Sequence, residues 1–518
     1  MRELPIGIQS FDRLRKGNYL YVDKTAKLLD LVLRGERYFL SRPRRFGKSL
    51  TLSTFEAMFR GRTELFAGLF AEKWVKEYSK NSSPVLRFDL SGLDSKTPQL
   101  LHKSLIETIK RIGSDFNVEI KSETLNGMFT DLLYGIYKLC GSIVILIDEY
   151  DKPILDNINN LEKANEMREV LRSFYSTLKS CDECLRFVFI TGISKFSKAG
   201  VFSAMNNLED ISMDEHYGDI TGYTQLELEE NFSEWINNVS VKMKIARQEL
   251  LKKLKEYYDG FSFDGNIKLY NPFSIMQCLK KAKLSNYWYL SGSATFIVEY
   301  MKSHLISDPE VYRHFEVPAD FSDSYEIEKS KPESFLYQSG YLTIEKWNED
   351  VIKLDYPNIE VLKSITRMYL EGIYHVESYI TLGNEIWQTL SSGNIEKGIF
   401  YYNIALAGIP YEDFSKRDEY WYRSLFLMLL RGAGITAFGE IHTHKGRSDL
   451  LIKFSNLIII LEFKFANKSS EIEKKKFEGD NQILDRDYAK AYEAQNFKII
   501  TAVIIADDER HQVIVACN

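Results

Sequence analysis

Cysteine is scarce in this chain: five among 518 residues, an odd number at irregular spacing. That excludes a disulfide framework and points to a reducing compartment. An excess of basic charge is also lacking. Lys and Arg number 67 against 73 Asp and Glu, a net charge of −6, so no global positive field announces nucleic acid and any phosphate-binding surface must be local. No apolar run approaches the roughly 20 residues that span a bilayer, and the opening MRELPIGIQSFDRL lacks the apolar core of a secretory signal. Internal repeats and low-complexity tracts are absent. What remains is ordinary globular composition, 44% hydrophobic and 27% charged, long enough for three or four domains of about 150 residues each. The expectation is a soluble, cytoplasmic, multidomain protein with no membrane partner.

The first third alternates strand and helix signals. Tyr38-Phe39-Leu40 leads into SRPRRFGKS and then LTLSTFEAMFRG, where Leu52, Phe55 and Phe59 share a helical face and Gly61 marks a stop. PVLRFDLS reads as a strand, and Pro98 to Asp115 as a helix. GSIVILIDEY and RFVFITG are unbroken apolar runs, as expected of strands buried on both faces of a parallel sheet. From about residue 220 charged helical segments take over, beginning with a capping box at Thr224 and Glu227 and interrupted by aromatic turns. A small β element is expected near 335–355, in a lid or a winged-helix-like module. The last 110 or so residues read as helix, three strands, helix, two strands. The expected fold class is α/β: an N-terminal P-loop parallel sheet over 1–220, a helical middle module over 221–375, and a C-terminal α/β domain over 376–518.

Two motifs in the first region fit nucleotide chemistry. Arg42, Arg44, Arg45, Phe46, Gly47, Lys48, Ser49 and Leu50 lie between a strand and a helix, the context a phosphate-binding loop requires. Amides at the helix N-terminus would face the anion, Lys48 would reach the β/γ-phosphates, and the Ser49 hydroxyl would ligate Mg²⁺. The departure is Arg42, which stands where the usual G-x-x-x-x-G-K-[ST] pattern has its first glycine. About one hundred residues on, an apolar strand delivers Asp148 and Glu149 at its C-terminal end. There Asp148 would hold Mg²⁺ and Glu149 would polarise the attacking water. Thr191, ending the next strand, is a candidate sensor of the γ-phosphate and equally an ordinary strand-end threonine.

LPIGIQSFDRLRKGNYLYVDKT followed by FLSRPRRFGKSLTLSTFEAMF resembles the opening of the bacterial AAA-ATPase-like family that is often fused to a PD-(D/E)XK nuclease domain. LIDEYDKPI, FITGISKFSKAGVFSAMNNLEDIS, YDGFSF, YNPFSI and YQSGYLTI match its style. The resemblance implies ATP and Mg²⁺ as cofactors and makes R-P-R-R-F-G-K-S the family's own form of the loop. It also places Tyr21, Asp23 and Lys24 near the nucleotide, and marks Lys195 and Asn206 without assigning them a role.

At the C-terminal end, Asp449 opens one strand and Glu462-Phe463-Lys464 ends the next. Residues i and i+2 of a strand share a face, so Glu462 and Lys464 are neighbours and Asp449 could join them across the hairpin. Two carboxylates that hold Mg²⁺, with a lysine beside them, suit metal-assisted phosphodiester hydrolysis. Glu-x-Lys on a strand is common by itself; the surrounding order is what resembles a PD-(D/E)XK core. The resemblance implies Glu440 as a candidate third metal ligand, Glu419 as a weaker acidic candidate, and Gln482 facing the site, with Tyr488 following it. The catalytic set is thus Glu149 in the first region and Asp449, Glu462 and Lys464 in the last. Nucleic acid, DNA by preference, is the expected substrate, and self-association stays open. The alternative is a nucleotide-dependent scaffold whose nuclease-like domain binds without cutting.

Several features are set aside. Cys181-Asp-Glu-Cys184 has no second pair to complete a zinc site. His442 and His444 read as a polar strand face, and the lysines of KKKFEGD as a solvated helix face.

Overall fold

The computed structural model describes residues 1–516 apart from 36, 196–206, 289–293, 304–311, 323–330, 377, 410–416, 444–445, 487–491 and 493–496. The chain forms two compact units, one of residues 1–296 with 312–362, the other of 297–311 with 363–518. The expected boundary at 220 therefore falls inside the first unit, and that at 375 inside the second.

In the first unit, β1 (Arg37–Ser41), β2 (Val85–Asp89), β3 (Ile143–Asp148), β4 (Leu185–Gly192) and β5 (Leu208–Asp210) form one parallel sheet in the order β2-β3-β4-β1-β5. All six residues of β3 are buried, as its continuous apolar run requires of a strand covered on both faces. The helix Lys48–Phe59 packs its Phe55 and Phe59 rings 4.8–5.2 Å from those of Phe187 and Phe189 on β4. That contact ties the loop before the helix to the sheet. The helix ends where Gly61 turns left-handed.

The middle residues divide otherwise than composition suggests. Leu228, Ile236, Leu250, Tyr258 and Ile275, on four helices between Gln225 and Lys281, share a core with Phe232 between the first two and with Leu20 and Val22 of the N-terminal segment. The Thr224–Glu227 capping box is present in full. Beyond it, β6 (Phe315–Pro318), β7 (Thr343–Asn348) and β8 (Val351–Asp355) make an antiparallel sheet in the order β6-β8-β7.

The second unit carries β9 (Thr436–Thr443), β10 (Gly446–Lys453), β11 (Leu457–Ala466), β12 (Lys498–Asp507) and β13 (Gln512–Ala516) in spatial order β13-β12-β11-β10-β9. Only β11 and β12 are parallel to each other, in register over ten pairs. The connection between them is the helix Ile472–Arg486, and Gly479 lets it approach β12: a Cβ there would come within 2.5 Å of Val503. Phe463 meets Phe426 of the helix Glu419–Gly432. Val503 pairs with Glu462, the neighbour of Phe463, so the two helices cover opposite faces of the sheet. Among the described residues no helix is long and apolar enough to cross a membrane.

Candidate nucleotide and nuclease sites

The loop after β1 is built for an anion. Gly47 adopts φ +91°, a backbone that only glycine takes readily, and Arg45 is also left-handed at φ +66°. The helix Lys48–Phe59 that follows has no side-chain cap, so its first amides stay available to a ligand. The Lys48 ammonium is buried and donates to the carbonyls of Arg42 (2.7 Å) and Pro43 (3.0 Å) of its own loop. Burial lowers its pKa, against the pull of the Glu149 and Asp148 carboxylates.

Beside the loop lies a cavity of about 320 Å³, with Arg44, Arg45, Phe46, Gly47, Lys48, Ser49, Leu50 and Glu149 in its wall. Most of its far side was not legible in sequence: the N-terminal turn Pro5 to Gln9, and Tyr223, Phe273 and Met276 from the helical region. The Arg45 guanidinium lies 5.0 Å from the centre of the Phe273 ring. Tyr21 and Lys24 line the cavity as the resemblance implied, and Lys24 pairs with Glu227 at 2.5 Å. Asp23 does not; its carboxylate accepts from Thr25 and from the Phe70 amide.

Arg42 is a correction. Without the first glycine of the usual pattern, its side chain turns beneath the loop. It is fully buried and donates to the carbonyls of Ser212 (2.6 Å) and Tyr217 (3.2 Å), with Phe263 stacked 4.0 Å away. Burial lowers its pKa to about 10. It braces the loop from behind and has no place in the cavity wall. The Thr191 hydroxyl donates to Asp148 Oδ1 at 2.8 Å and holds that carboxylate at the end of β3. Arg87 approaches the other oxygen at 3.5 Å.

Glu149 sits at φ +49° and faces the cavity. Burial raises its pKa, partly offset by Lys48. A non-glycine residue held left-handed where the strand delivers it marks a constrained position. Asp151, absent from the sequence reading, is what fixes the segment. It is buried and accepts from the amides of Ile193 (3.0 Å) and Ser194 (2.6 Å). Its place three residues after Asp148 was the available signal. Lys195 is buried against Asp210 at 3.2 Å, away from the cavity; Asn206 lies outside the described residues.

In the second unit Asp449, Glu462 and Lys464 do come together. The Phe463 amide donates to Asp449 Oδ2 at 2.8 Å, and Lys464 Nζ donates to Glu462 Oε1 at 2.9 Å and to the Phe463 carbonyl at 2.9 Å. Glu462 is fully buried, and its second oxygen has no hydrogen-bond partner. Burial raises its pKa, and the Asp449 charge adds to the effect. An ionised carboxylate oxygen is costly to bury without a partner. A hard divalent cation is the partner its chemistry fits, with Asp449 as the second oxygen donor. For Lys464, burial is the largest influence and works against the charge, but the Glu462 hydrogen bond and the charges of Glu462, Glu419 and Asp449 together outweigh it and the pKa rises.

The pairs Ser448–Ile441 and Leu450–Gly439 bracket Asp449 and Glu440, which places the Glu440 backbone beside Asp449; its side chain is outside the described part. Glu419 is held near Asp449 and Lys464, its pKa raised by burial. Gln482 is half-buried on the helix Ile472–Arg486. Tyr488, His444 and the side chain of His442 fall outside the described residues. Sequence reasoning missed Arg423, which pairs with Asp449 Oδ1 at 3.2 Å. Its spacing of four from Glu419, on one helical face, was the signal for it.

Two other clusters are explained without chemistry. Cys181 and Cys184 are buried thiols, and burial raises both pKa values. His314, Glu345 and Asp355 gather at the β6-β8-β7 sheet, but Arg313 (2.6 Å from Asp355) and Lys353 (3.7 Å from Glu345) already balance the two carboxylates.

Comparison with known proteins finds a family match in each of the two regions. Residues 5–202 match the AAA-ATPase-like family, described as predicted AAA-ATPase, and residues 417–516 match a family of the PD-(D/E)XK nuclease superfamily. An uncharacterized protein from the vnfD 5' region of Azotobacter chroococcum mcd 1 is 31% identical over 99% of this chain and 98% of its own length. Among solved structures, Aeropyrum pernix ORC2 with ADPNP and ADP aligns over 82% of this chain and 91% of its own, at 10% identity and TM-score 0.32. Aeropyrum pernix ORC1 in complex with DNA aligns over 66% and 91%, at 9% identity and TM-score 0.24. The chain belongs to the AAA-ATPase-like family and carries a C-terminal domain of the PD-(D/E)XK nuclease superfamily.

Proposed function

We propose that the first unit binds and slowly hydrolyses ATP with Mg²⁺, and that the second is a metal-dependent phosphodiesterase acting on nucleic acid, DNA first. The nucleotide state of the one controls the other. For the first unit, Lys48 leaves the carbonyls of Arg42 and Pro43 for the β/γ-phosphates, a stronger partner for an ammonium. Ser49 and Asp148 hold the Mg²⁺, Arg44 and Arg45 face the phosphates from the cavity wall, and Glu149 orients the attacking water.

The observation that carries the nuclease reading is the buried, unpartnered Glu462 oxygen beside Asp449. Asp449 and Glu462 are the metal ligands, with Glu440 as the third candidate. The metal, when bound, supplies a nucleophile from water at neutral pH and screens the scissile phosphate. Lys464 Nζ positions that nucleophile or stabilises the charge that develops in the transition state.

The test is cleavage of labelled single- and double-stranded DNA and RNA with Mg²⁺ or Mn²⁺, with and without ATP, wild type beside Asp449→Ala. Metal-dependent cleavage that needs ATP and disappears in the variant is the expected result. Cleavage indifferent to ATP removes the control but keeps the nuclease. No cleavage by a folded, ATP-binding chain replaces it with a scaffold that binds and does not cut.

A further inference from the structure

Arg423 lies outside the proposed catalytic set, yet its guanidinium pairs with Asp449 Oδ1. The ion pair spans 3.2 Å, with 8% of the Arg423 side chain and 12% of that of Asp449 exposed. The other Asp449 oxygen takes the Phe463 amide, and Lys464 takes both Glu462 Oε1 and the Phe463 carbonyl. Without metal, Asp449 has Arg423 and Glu462 has Lys464 beside it, with Glu419 near both cations, and Glu462 Oε2 has no hydrogen-bond partner.

A divalent ion entering this site meets two opposing terms. Glu462 Oε2 favours it, while the fixed guanidinium repels it at close range in a poorly screened setting. A phosphodiester changes the balance: its oxygens are acceptors that the planar fork of an arginine binds in pairs. Once phosphate is present, Arg423 has a second anion to hold, and Asp449 Oδ1 is released to the metal. Lys464 cannot substitute, because it stays bound to Glu462 and the Phe463 carbonyl on its own strand.

We propose that Arg423 is the gate of the metal site: it stands in for the cation on Asp449 and moves to the substrate phosphodiester, so that divalent metal and phosphodiester bind together. The proposal rests on the phosphodiesterase reading and adds to it a regulated order of occupancy. It makes Arg423 a residue that touches substrate, and it makes the metal-loaded, substrate-free state sparsely populated.

The experiment is calorimetric titration of Mn²⁺ into the full chain, alone and with a 12-residue single-stranded DNA, and repeated with RNA of the same length. Cleavage is blocked by a phosphorothioate at every linkage. Wild type is expected to bind Mn²⁺ about tenfold more tightly with oligonucleotide present, a coupling of ordinary size. Arg423→Gln is expected to bind Mn²⁺ alone about tenfold more tightly than wild type and to show no further gain from oligonucleotide. Arg423→Lys keeps a cation and is expected to stay near wild type for Mn²⁺ alone. Wild-type affinity indifferent to both oligonucleotides overturns the gate, and this arm needs no variant to fold. Unchanged or weaker Mn²⁺ binding in Arg423→Gln also overturns it and leaves Arg423 as a brace for Asp449. Mn²⁺ binding equal in wild type and Asp449→Ala defeats the underlying metal site instead, so the two failures are distinguishable.

Discussion

The two sites hold their charges in opposite ways. At the phosphate loop one cation, Lys48, rests on two neutral carbonyls of its own chain. At the nuclease-like site two carboxylates rest on two cations, Lys464 and Arg423. A carbonyl is easily given up for a phosphate, because the exchange replaces a neutral acceptor by a charged one. A carboxylate paired to a buried guanidinium is not easily given up, since separating the pair exposes two charges to a poor solvent. On the proposed reading the first site would take its anion readily, whereas the second would resist a metal until something else satisfied the displaced cation.

That contrast can be broken at either end. The largest effect belongs to Glu462→Ala, which removes the carboxylate with the orphaned oxygen: metal-dependent cleavage should fall by about 1,000-fold or more while ATP binding stays unchanged. Retained cleavage would move the metal elsewhere. Glu149→Gln should lower ATP hydrolysis by about 100-fold at constant ATP affinity, read by phosphate release beside a fluorescent-nucleotide titration. A parallel loss of affinity would recast Glu149 as a binding residue. Lys48→Ala should weaken ATP about 30-fold, the loss of a charge-assisted hydrogen bond worth about 2 kcal/mol; unchanged affinity would sink the loop assignment.

A smaller effect sharpens the comparison with a carboxylate held by backbone amides. Glu360 is fully buried and accepts from the amides of Tyr287 (2.6 Å) and Trp288 (2.8 Å). Burial raises its pKa to about 7. The unfolded value is about 4.3, so the folded state binds the proton more tightly and stability falls as pH rises between the two values. Melting temperatures from pH 5 to 8 should decline more steeply in wild type than in Glu360→Gln, which keeps the acceptor oxygen without the charge. Parallel slopes would show that the folded carboxyl is already ionised across that range, its pKa not raised.

How much was legible follows from how each site is assembled. The loop and the Asp148-Glu149 strand end use consecutive residues, and the β3 run announces a strand buried on both faces, so both could be read directly. The Asp449–Glu462–Lys464 cluster was legible because strand period places Glu462 and Lys464 together and one hairpin brings Asp449 to them. The direction of Arg42 was not, since it is set by carbonyls at Ser212 and Tyr217, some 170 residues away in sequence. Arg423 escaped for the same reason on a smaller scale: its partner lies 26 residues on, across a helix-to-sheet contact. The boundary at 220 followed a change in composition, but the core ignores it, because Leu20 and Val22 pack with Leu228 and Phe232.

The hairpin that sets the nuclease-like cluster has a consequence for how this chain can vary. β10 and β11 pair Lys453 with Ile458 and Leu450 with Leu461 across the tight turn at Ser455 and Asn456. Because strand faces alternate, a shift of one residue exchanges every inward and outward side chain. A single-residue insertion or deletion in that turn would leave the strand pattern intact while moving Glu462 away from Asp449. Length change, tolerated in most surface connections, is therefore as damaging here as loss of the carboxylate itself, and lineages that keep the activity should keep the turn's length while its composition drifts.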